Sequence, residues 1–322
     1  MADTIRCLVT GATGYIGGRL IPRLLDRGFA VRALARNPDK LSGVEWRDRV
    51  EVVKGDLDDV DSLRNAFDGI DVVYYLVHSM GTESNFVEAE ARSARNVVEA
   101  ASQAGVKRIV YLGGLHPSGA DLSPHLRSRT AVGDILIDSG IETVVLQAGI
   151  VIGSGSASFE MMRHLTNRLP AMTTPKWVHN KIQPIAIDDV LHYLAEAAAV
   201  PVPTSRTWDV GGPDVMEYGD AMQTYADVAG LRKRIIIAIP FLTPTIASLW
   251  VGLVTPMPPG LARPLIESLE VDAVMNEHDI DTIIAPPEGG LTGYRDAVES
   301  AMKIGPLPSD PHWARAGRPA AG

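Results

Sequence analysis

Gly11, Gly14 and Gly17, spaced by three, follow the apolar run Ile5 to Val9 and precede an apolar pattern of helical period in IRCLVTGATGYIGGRL. A strand feeding a glycine-rich turn and then a helix gathers unpaired backbone N–H groups and the positive end of the helix dipole at one point, where a pyrophosphate can sit. Gly11 permits the tight turn, a side chain at Gly14 would block the phosphates, and one at Gly17 would push the helix off the strand. The same glycines also suit a strand-to-helix turn that holds no ligand. A second apolar run, Ala30 to Ala35, follows at the βαβ distance of roughly 20 residues and favours a dinucleotide.

The end of that second strand selects between dinucleotides. An NAD site wants a carboxylate there to accept from the ribose 2′-hydroxyl, whereas this chain has Ala35 and Arg36, then Asn37, Pro38 and Lys40. A guanidinium suits a 2′-phosphate, so NADP(H) is the expected cofactor, the alternative being that Arg36 and Lys40 are solvated loop charges.

The elements that position these residues follow the rhythm of a doubly wound α/β sheet. Further strands are expected at Val50 to Val53, Asp71 to Leu76, Arg108 to Leu112 and Glu142 to Leu146. A helix around Ser62 to Phe67 takes Asp61 or Ser62 as N-cap, Glu83 to Ala104 is stopped by Gly105, and Pro124 to Ser139 by Gly140. From Gly153 onward the rhythm breaks into Pro-rich and Met-rich segments. The expected organisation is a Rossmann-type dinucleotide domain over 1–152 and 181–212, a smaller substrate-side domain over 153–180 and 213–305, and a poorly ordered tail over 306–322.

With 322 residues the chain can bury a sizeable core, and its net charge of −9 argues against a broad nucleic-acid-binding surface. Cys7, the single cysteine, excludes an internal disulfide and is expected as a buried, inert thiol. No Cys/His cluster or paired carboxylates suggest a metal, and the start MADTIRC shows no secretory pattern, so a cytoplasmic location is expected.

These residues resemble the short-chain dehydrogenase/reductase superfamily in its extended or atypical branch. TGATGYIGGRL is similar to that family's TGxxGxxG turn, and GDLDD at 55–59, YLGG at 111–114, LQAGIVIGSG at 146–155 and PIAIDDV at 184–190 follow in the family's order. LVHSM, SPHLRSR and SFEMMRHL are similar to a bacterial subgroup of NAD(P)H-binding proteins related to nitrogen-metabolite-repression-like regulators. The resemblance implies cofactor contacts from Gly11, Thr13, Gly14, Tyr15, Ile16, Gly17 and Arg36. It adds Asp56 and Leu57 at the adenine, Leu76, Val77 and His78 at the ribose, and Gly149 and Ile150 with Val151 at the nicotinamide. Asp56 could instead cap a turn, and the apolar residues could be core.

The family's chemistry uses a Tyr and a Lys four residues apart on one helix face. In HLRSR, His125 stands at the Tyr position and Arg129 at the Lys position, while Gly113 or Gly114 replaces the helper Ser. Arg129 can still donate to ribose hydroxyls but cannot cycle its proton. His125 could protonate a forming alkoxide as imidazolium, yet burial and Arg129 both lower its pKa, so a His of no catalytic role is equally open. His78 and His116 are the competing donors.

Phe159, Met161, Met162, Trp177 and His179 could line an apolar pocket, although apolar residues at helical spacing more often form core. Asp188 and Asp189 read as caps at a helix start. Ile235 to Ala262 carries no charge and follows Arg232, Lys233 and Arg234, but its prolines break a spanning helix. A strand IIIAI and a short helix ending near Val251 are expected inside the smaller domain; an apolar entrance for a lipid-like or quinone-like substrate, or a peripheral membrane contact helped by Arg232, Lys233 and Arg234, is the less favoured alternative. The reading overall is an NADP(H)-binding reductase of a small apolar carbonyl or quinone. The competing class is a non-catalytic sensor of NADP(H) redox state that acts through a protein partner.

Overall fold

A computed structural model of the chain describes residues 4–77, 86–239, 251–252, 254–307 and 310–316. β1 (Arg6–Val9), β2 (Ala30–Ala35), β3 (Glu51–Lys54), β4 (Val72–Tyr75), β5 (Arg108–Gly114), β6 (Glu142–Ala148) and β11 (Arg206–Val210) form a parallel sheet in the order β11-β6-β5-β4-β1-β2-β3. This is a Rossmann-type doubly wound sheet, and its order reverses between β1 and β4, where such sheets open a ligand crevice.

Helices cover both faces, so successive strand residues are apolar in both directions. Cys7 and Val9 point to one side, into a core with Leu20 and Leu24 of α1 (Tyr15–Asp26) and Leu191 and Leu194 of α6 (Ile187–Glu196). Leu8 points to the other, into a core with Phe67 of α2 (Val60–Phe67), Val97 of α3 (Phe86–Ala104) and Leu136 of α4 (Pro124–Ile137). Cys7 is fully buried, and burial pushes its thiol up to about 12, the inert state.

A further core gathers Phe159, Met161 and Met162 of α5 (Ala157–Arg168), Trp177, Tyr218 and Met222 of α7 (Tyr218–Val228), Ile266 of α8 (Pro259–Ser268) and Val298 of α9 (Tyr294–Ile304). Phe159, Met161, Met162 and Trp177 are therefore packing residues, while His179 is exposed and pairs with Glu217. Beside this core lie two short parallel pairs, β7 (Val151–Ile152) with β10 (Ile185–Ala186) and β8 (Ala171–Thr174) with β13 (Ile235–Ala238), and one antiparallel pair, β9 (Lys181–Ile182) with β12 (Met216–Glu217).

Several expectations shift. The N-cap of α2 is Asp59, which accepts from the backbone N–H groups of Asp61 and Ser62, so the helix starts two residues earlier than expected. Asp189 caps nothing on its own helix; it accepts from the backbone N–H of Thr292 at 2.8 Å. β13 forms where IIIAI predicts it, but residues 240–250 and 253 lie outside the described residues. No helix among the described residues is long and apolar enough to cross a membrane.

The largest correction concerns the tail, where residues 310–316 are packed. Asp310 is 6 % exposed and accepts from both terminal nitrogens of Arg19, at 3.0 and 2.7 Å. Beyond it α10 (His312–Arg315) brings Trp313 against the third core, and the Ala316 carbonyl accepts from Arg163 of α5. Polar, Pro-rich composition describes solvated chain, but here one buried ion pair and one tryptophan dock it.

Candidate functional site

At the reversal between β1 and β4, Thr10 Oγ1 donates to the Tyr74 carbonyl and accepts from the Leu76 N–H, both at 3.0 Å. Gly11 then turns with φ +68°, and a Cβ there would lie 2.6 Å from the Leu76 carbonyl oxygen. The loops after β1 and β4 therefore meet over the crevice, with Leu76 and Val77 half-buried against the turn. Gly14 closes the turn, its N–H donating to the Gly11 carbonyl at 2.8 Å.

Gly14 is also the N-cap of α1, and it brings no side-chain oxygen to the first turn, which contains no acidic residue. Among the described residues no side chain caps this positive helix end, and Thr13 and Gly14 lie exposed before it. Among the described residues, an ideal Cβ at Gly14 meets only the Gly11 carbonyl oxygen, at 3.1 Å; one at Gly17 would lie 2.4 Å from the same oxygen. The cradle fits a pyrophosphate, because it combines orphan donors, positive potential and an approach cleared of side chains. Ile16 is half-buried on the helix, and the Tyr15 hydroxyl lies beside Gly153 with the Arg19 guanidinium stacked on the ring.

Arg36 is exposed directly after β2, and its side chain has no partner among the described residues. Asp56 is half-buried and accepts from the Asp58 N–H at 3.2 Å, the turn-capping role. Leu57 is core, with its carbonyl taken by Asn96 Nδ2 at 2.8 Å. Across the sheet, Gly149 and Ile150 follow β6, and a Cβ on Gly149 would lie 2.5 Å from the Gln183 carbonyl oxygen. Next to Gln183 a concavity of about 150 Å³ is lined by Gly211, Gly212 and Met275. That is less than the ~300 Å³ at which small-molecule pockets begin.

α4 carries His125 and Arg129 one turn apart. Arg129 Nη2 donates to the Leu112 carbonyl at 2.7 Å, and its buried Nε has no partner among the described residues. An orphaned donor beside the ends of β5 and β6 fits a ribose hydroxyl. A Cβ on Gly114 would meet Leu126 Cδ2 at 3.0 Å, so a helper serine would be crowded there. His78, the other proposed donor, lies outside the described residues.

His125 is 7 % exposed, and burial first and Arg129 second lower its pKa from 6.5 to about 4. At pH 7 only about one ring in a thousand would carry the proton a general acid needs. The same shift acts on stability, because below pH ~6.5 the unfolded chain takes up a proton that the folded chain refuses until pH ~4. Acidification through that window should cost about 2 to 3 kcal/mol from His125. His164, also lowered to about 4 and mainly by burial, adds a loss of the same sign. His125→Gln should therefore remove roughly half of the acid loss, read from urea unfolding at neutral and mildly acidic pH. An unchanged loss would exonerate His125.

The contacts of His116 carry no signal in the sequence. His116 Nε2 lies 3.0 Å from Thr130 Oγ1 and 3.3 Å from Gln147 Nε2, and its carbonyl accepts from Asn276, which is held by Asp209. Neighbouring β5 and β6 assemble it, and both imidazole nitrogens are engaged by the protein, Nδ1 with the Pro117 carbonyl.

Residues 11–163 match a family model described as NAD(P)H-binding. The chain is 35 % identical over 133 residues to a 3β-hydroxysteroid dehydrogenase/Δ5→4-isomerase of Mycobacterium tuberculosis, covering 36 % of this chain and 35 % of the relative. It thus spans about a third of that relative's length. Cinnamoyl-CoA reductase 1 of Arabidopsis thaliana is 25 % identical over 231 residues, 59 % of this chain and 67 % of the relative. Among solved structures, Citrobacter sp. triphenylmethane reductase complexed with NADP(H) superposes with TM-score 0.71 at 21 % identity, covering 92 % of this chain and 100 % of that one. An NADPH-dependent quinone oxidoreductase of Escherichia coli superposes with TM-score 0.70 at 20 % identity, covering 91 % and 98 %. Both superpositions share this chain's fold over about nine tenths of its length.

Proposed function

We propose that the chain, whose residues 11–163 match an NAD(P)H-binding family model, is an NADP(H)-dependent reductase of the extended short-chain dehydrogenase/reductase type whose substrate is a small apolar quinone. The observation that carries the cofactor is the uncapped start of α1 over exposed Gly14, with unpartnered Arg36 at the end of β2. The turn from Gly11 to Gly17 would hold the pyrophosphate, Arg36 the 2′-phosphate, Arg129 a ribose hydroxyl, and Gly149 and Ile150 the nicotinamide side. When bound, the reduced cofactor supplies two electrons and one hydrogen to the substrate.

The chain's own groups then bear on which substrate suits it. A ketone becomes an alkoxide about as basic as hydroxide, so it needs a positioned acid. A quinone becomes a phenol-like oxygen, of pKa ~10 as in tyrosine, which water can protonate. Neutral His125 fails the first requirement and leaves the second untouched. The quinone and dye reductases among the structural neighbours agree with this preference. The sensing alternative rests on the same observation, since a protein that only reports bound cofactor needs no proton donor.

Two measurements test the proposal. A charged hydrogen bond from Arg36 is worth ~1.5 to 3 kcal/mol, so NADPH should bind about tenfold to a hundredfold more tightly than NADH, and Arg36→Asp should reverse the order. Equal affinities would remove Arg36 from the site. NADPH should be consumed with a benzoquinone and not with an aliphatic ketone. Consumption with neither at any pH between about 5 and 8, the range in which a histidine donor would titrate, would leave the sensing reading in its place.

A further inference from the structure

The two strands of the outlying sheet, β8 and β13, lie in stretches without a single carboxylate. Residues 161–187 contain no Asp or Glu but carry Arg163, Arg168, Lys176 and Lys181. Residues 228–266 contain none but carry Arg232, Lys233, Arg234 and Arg263. In a chain with 39 acidic residues and a net charge of −9, this is a pronounced local inversion of sign.

The parallel register pairs Ile235 with Ala171 and Ile237 with Thr173, which places these four on one face. That face looks outward: Ile235 is 60 % and Ile237 55 % exposed, with Ala171 and Thr173 exposed beside them. The alternate residues Met172 and Ile236 pack into the third core and hold the sheet in place. Arg232 and Lys233 stand exposed at the start of β13, and their side chains have no partner among the described residues. Arg168 precedes β8 and Lys176 follows it, both exposed.

We propose that this face docks on an anionic lipid bilayer, with Ile235 and Ile237 at the acyl boundary and Arg232 and Lys233 among the headgroups. Paired branched aliphatic side chains flanked by cations match the two layers of such a surface, apolar inside and negative outside. A second copy of the chain is a poor occupant, because a two-fold contact through this face would set its cations against one another. A nucleic acid would find the cations but, among the described residues, no exposed aromatic side chain to stack on. The contact is peripheral and does not depend on the cofactor site.

The test is flotation of the full-length protein with vesicles of pure phosphatidylcholine and of equal parts phosphatidylcholine and phosphatidylglycerol. Binding to the mixed vesicles should be about tenfold or more the stronger and should weaken as salt screens the cations. Ile235→Thr with Ile237→Thr, which keeps the β-branched shape, should lower it about tenfold, as should Arg232→Gln with Lys233→Gln. Unchanged thermal midpoint and NADPH affinity in both variants would show that neither loss reflects unfolding. No preference for the mixed vesicles, or variants that bind as well as the parent, would overturn the proposal. So would a concentration-dependent dimer that the isoleucine variant abolishes, because the face would then be a self-contact.

Discussion

Asp310→Ala should destabilise the protein by about 3 to 5 kcal/mol, the usual cost of removing one partner from a buried ion pair. The Asp310 side chain is 4 % and that of Arg19 15 % exposed, so the guanidinium left behind cannot turn freely into water. It keeps the Ser154 and Tyr15 carbonyls as acceptors and the Tyr15 ring beneath it, which places the expected cost at the lower end of that range. Asp310 Oδ2 also accepts from the Leu307 N–H at 2.7 Å, so the substitution frees the chain that leads to Trp313. Ending the chain at Pro306 should cost at least as much, because it removes both the carboxylate and the tryptophan. The check is the denaturant midpoint of each variant against the parent; a shift under about 1 kcal/mol would mean that the pair is a solvated contact.

That prediction could not have been made from the sequence, and the reason is physical. Arg19 and Asp310 lie 291 residues apart, and only the assembled fold brings them together. Residues 306–322 contain four prolines and few large apolar side chains, which is the composition of solvated chain. Strands β1, β4, β5 and β6 were legible because each carries a run of apolar residues buried on both faces, a pattern local to four to seven residues, while β3 showed only half-buried Val52 and Val53 between exposed Glu51 and Lys54. β11 was not, since Arg206 and Asp209 interrupt RTWDV: Arg206 stacks on Trp208, and Asp209 is buried as an acceptor for Asn276. The lowered pKa of His125 could be read in advance because its causes are local, one cationic neighbour a helical turn away and a helix packed on the sheet. The contact of His116 with Thr130 and Gln147 depends on which strands become neighbours, and no spacing along the chain encodes that.

Gly14→Ala and Gly17→Ala should separate a ligand cradle from an ordinary turn. At Gly17 the added Cβ would lie 2.4 Å from the Gly11 carbonyl oxygen, 2.9 Å from its carbon and 3.2 Å from Ala12 Cα. All three are backbone atoms, so α1 has to move off β1, at a cost of about 1 to 3 kcal/mol in stability. The first-turn N–H groups move with it, and NADPH affinity should fall about tenfold to a hundredfold. At Gly14 the φ of −88° is open to any residue, and among the described residues the Cβ meets one atom, at 3.1 Å. The free Gly14→Ala protein should therefore lose no more than about 1 kcal/mol, the modest preference of a helix N-cap for glycine over alanine. Its methyl group would nonetheless occupy the approach to the helix start, so NADPH affinity should fall about as far as in Gly17→Ala. Retained affinity in Gly14→Ala would mean that no phosphate passes over that residue, and the turn would serve only to join β1 to α1. Loss of affinity with so little loss of stability has one source, a ligand seated against Gly14, because a purely structural glycine would show its effect first in the unfolding midpoint.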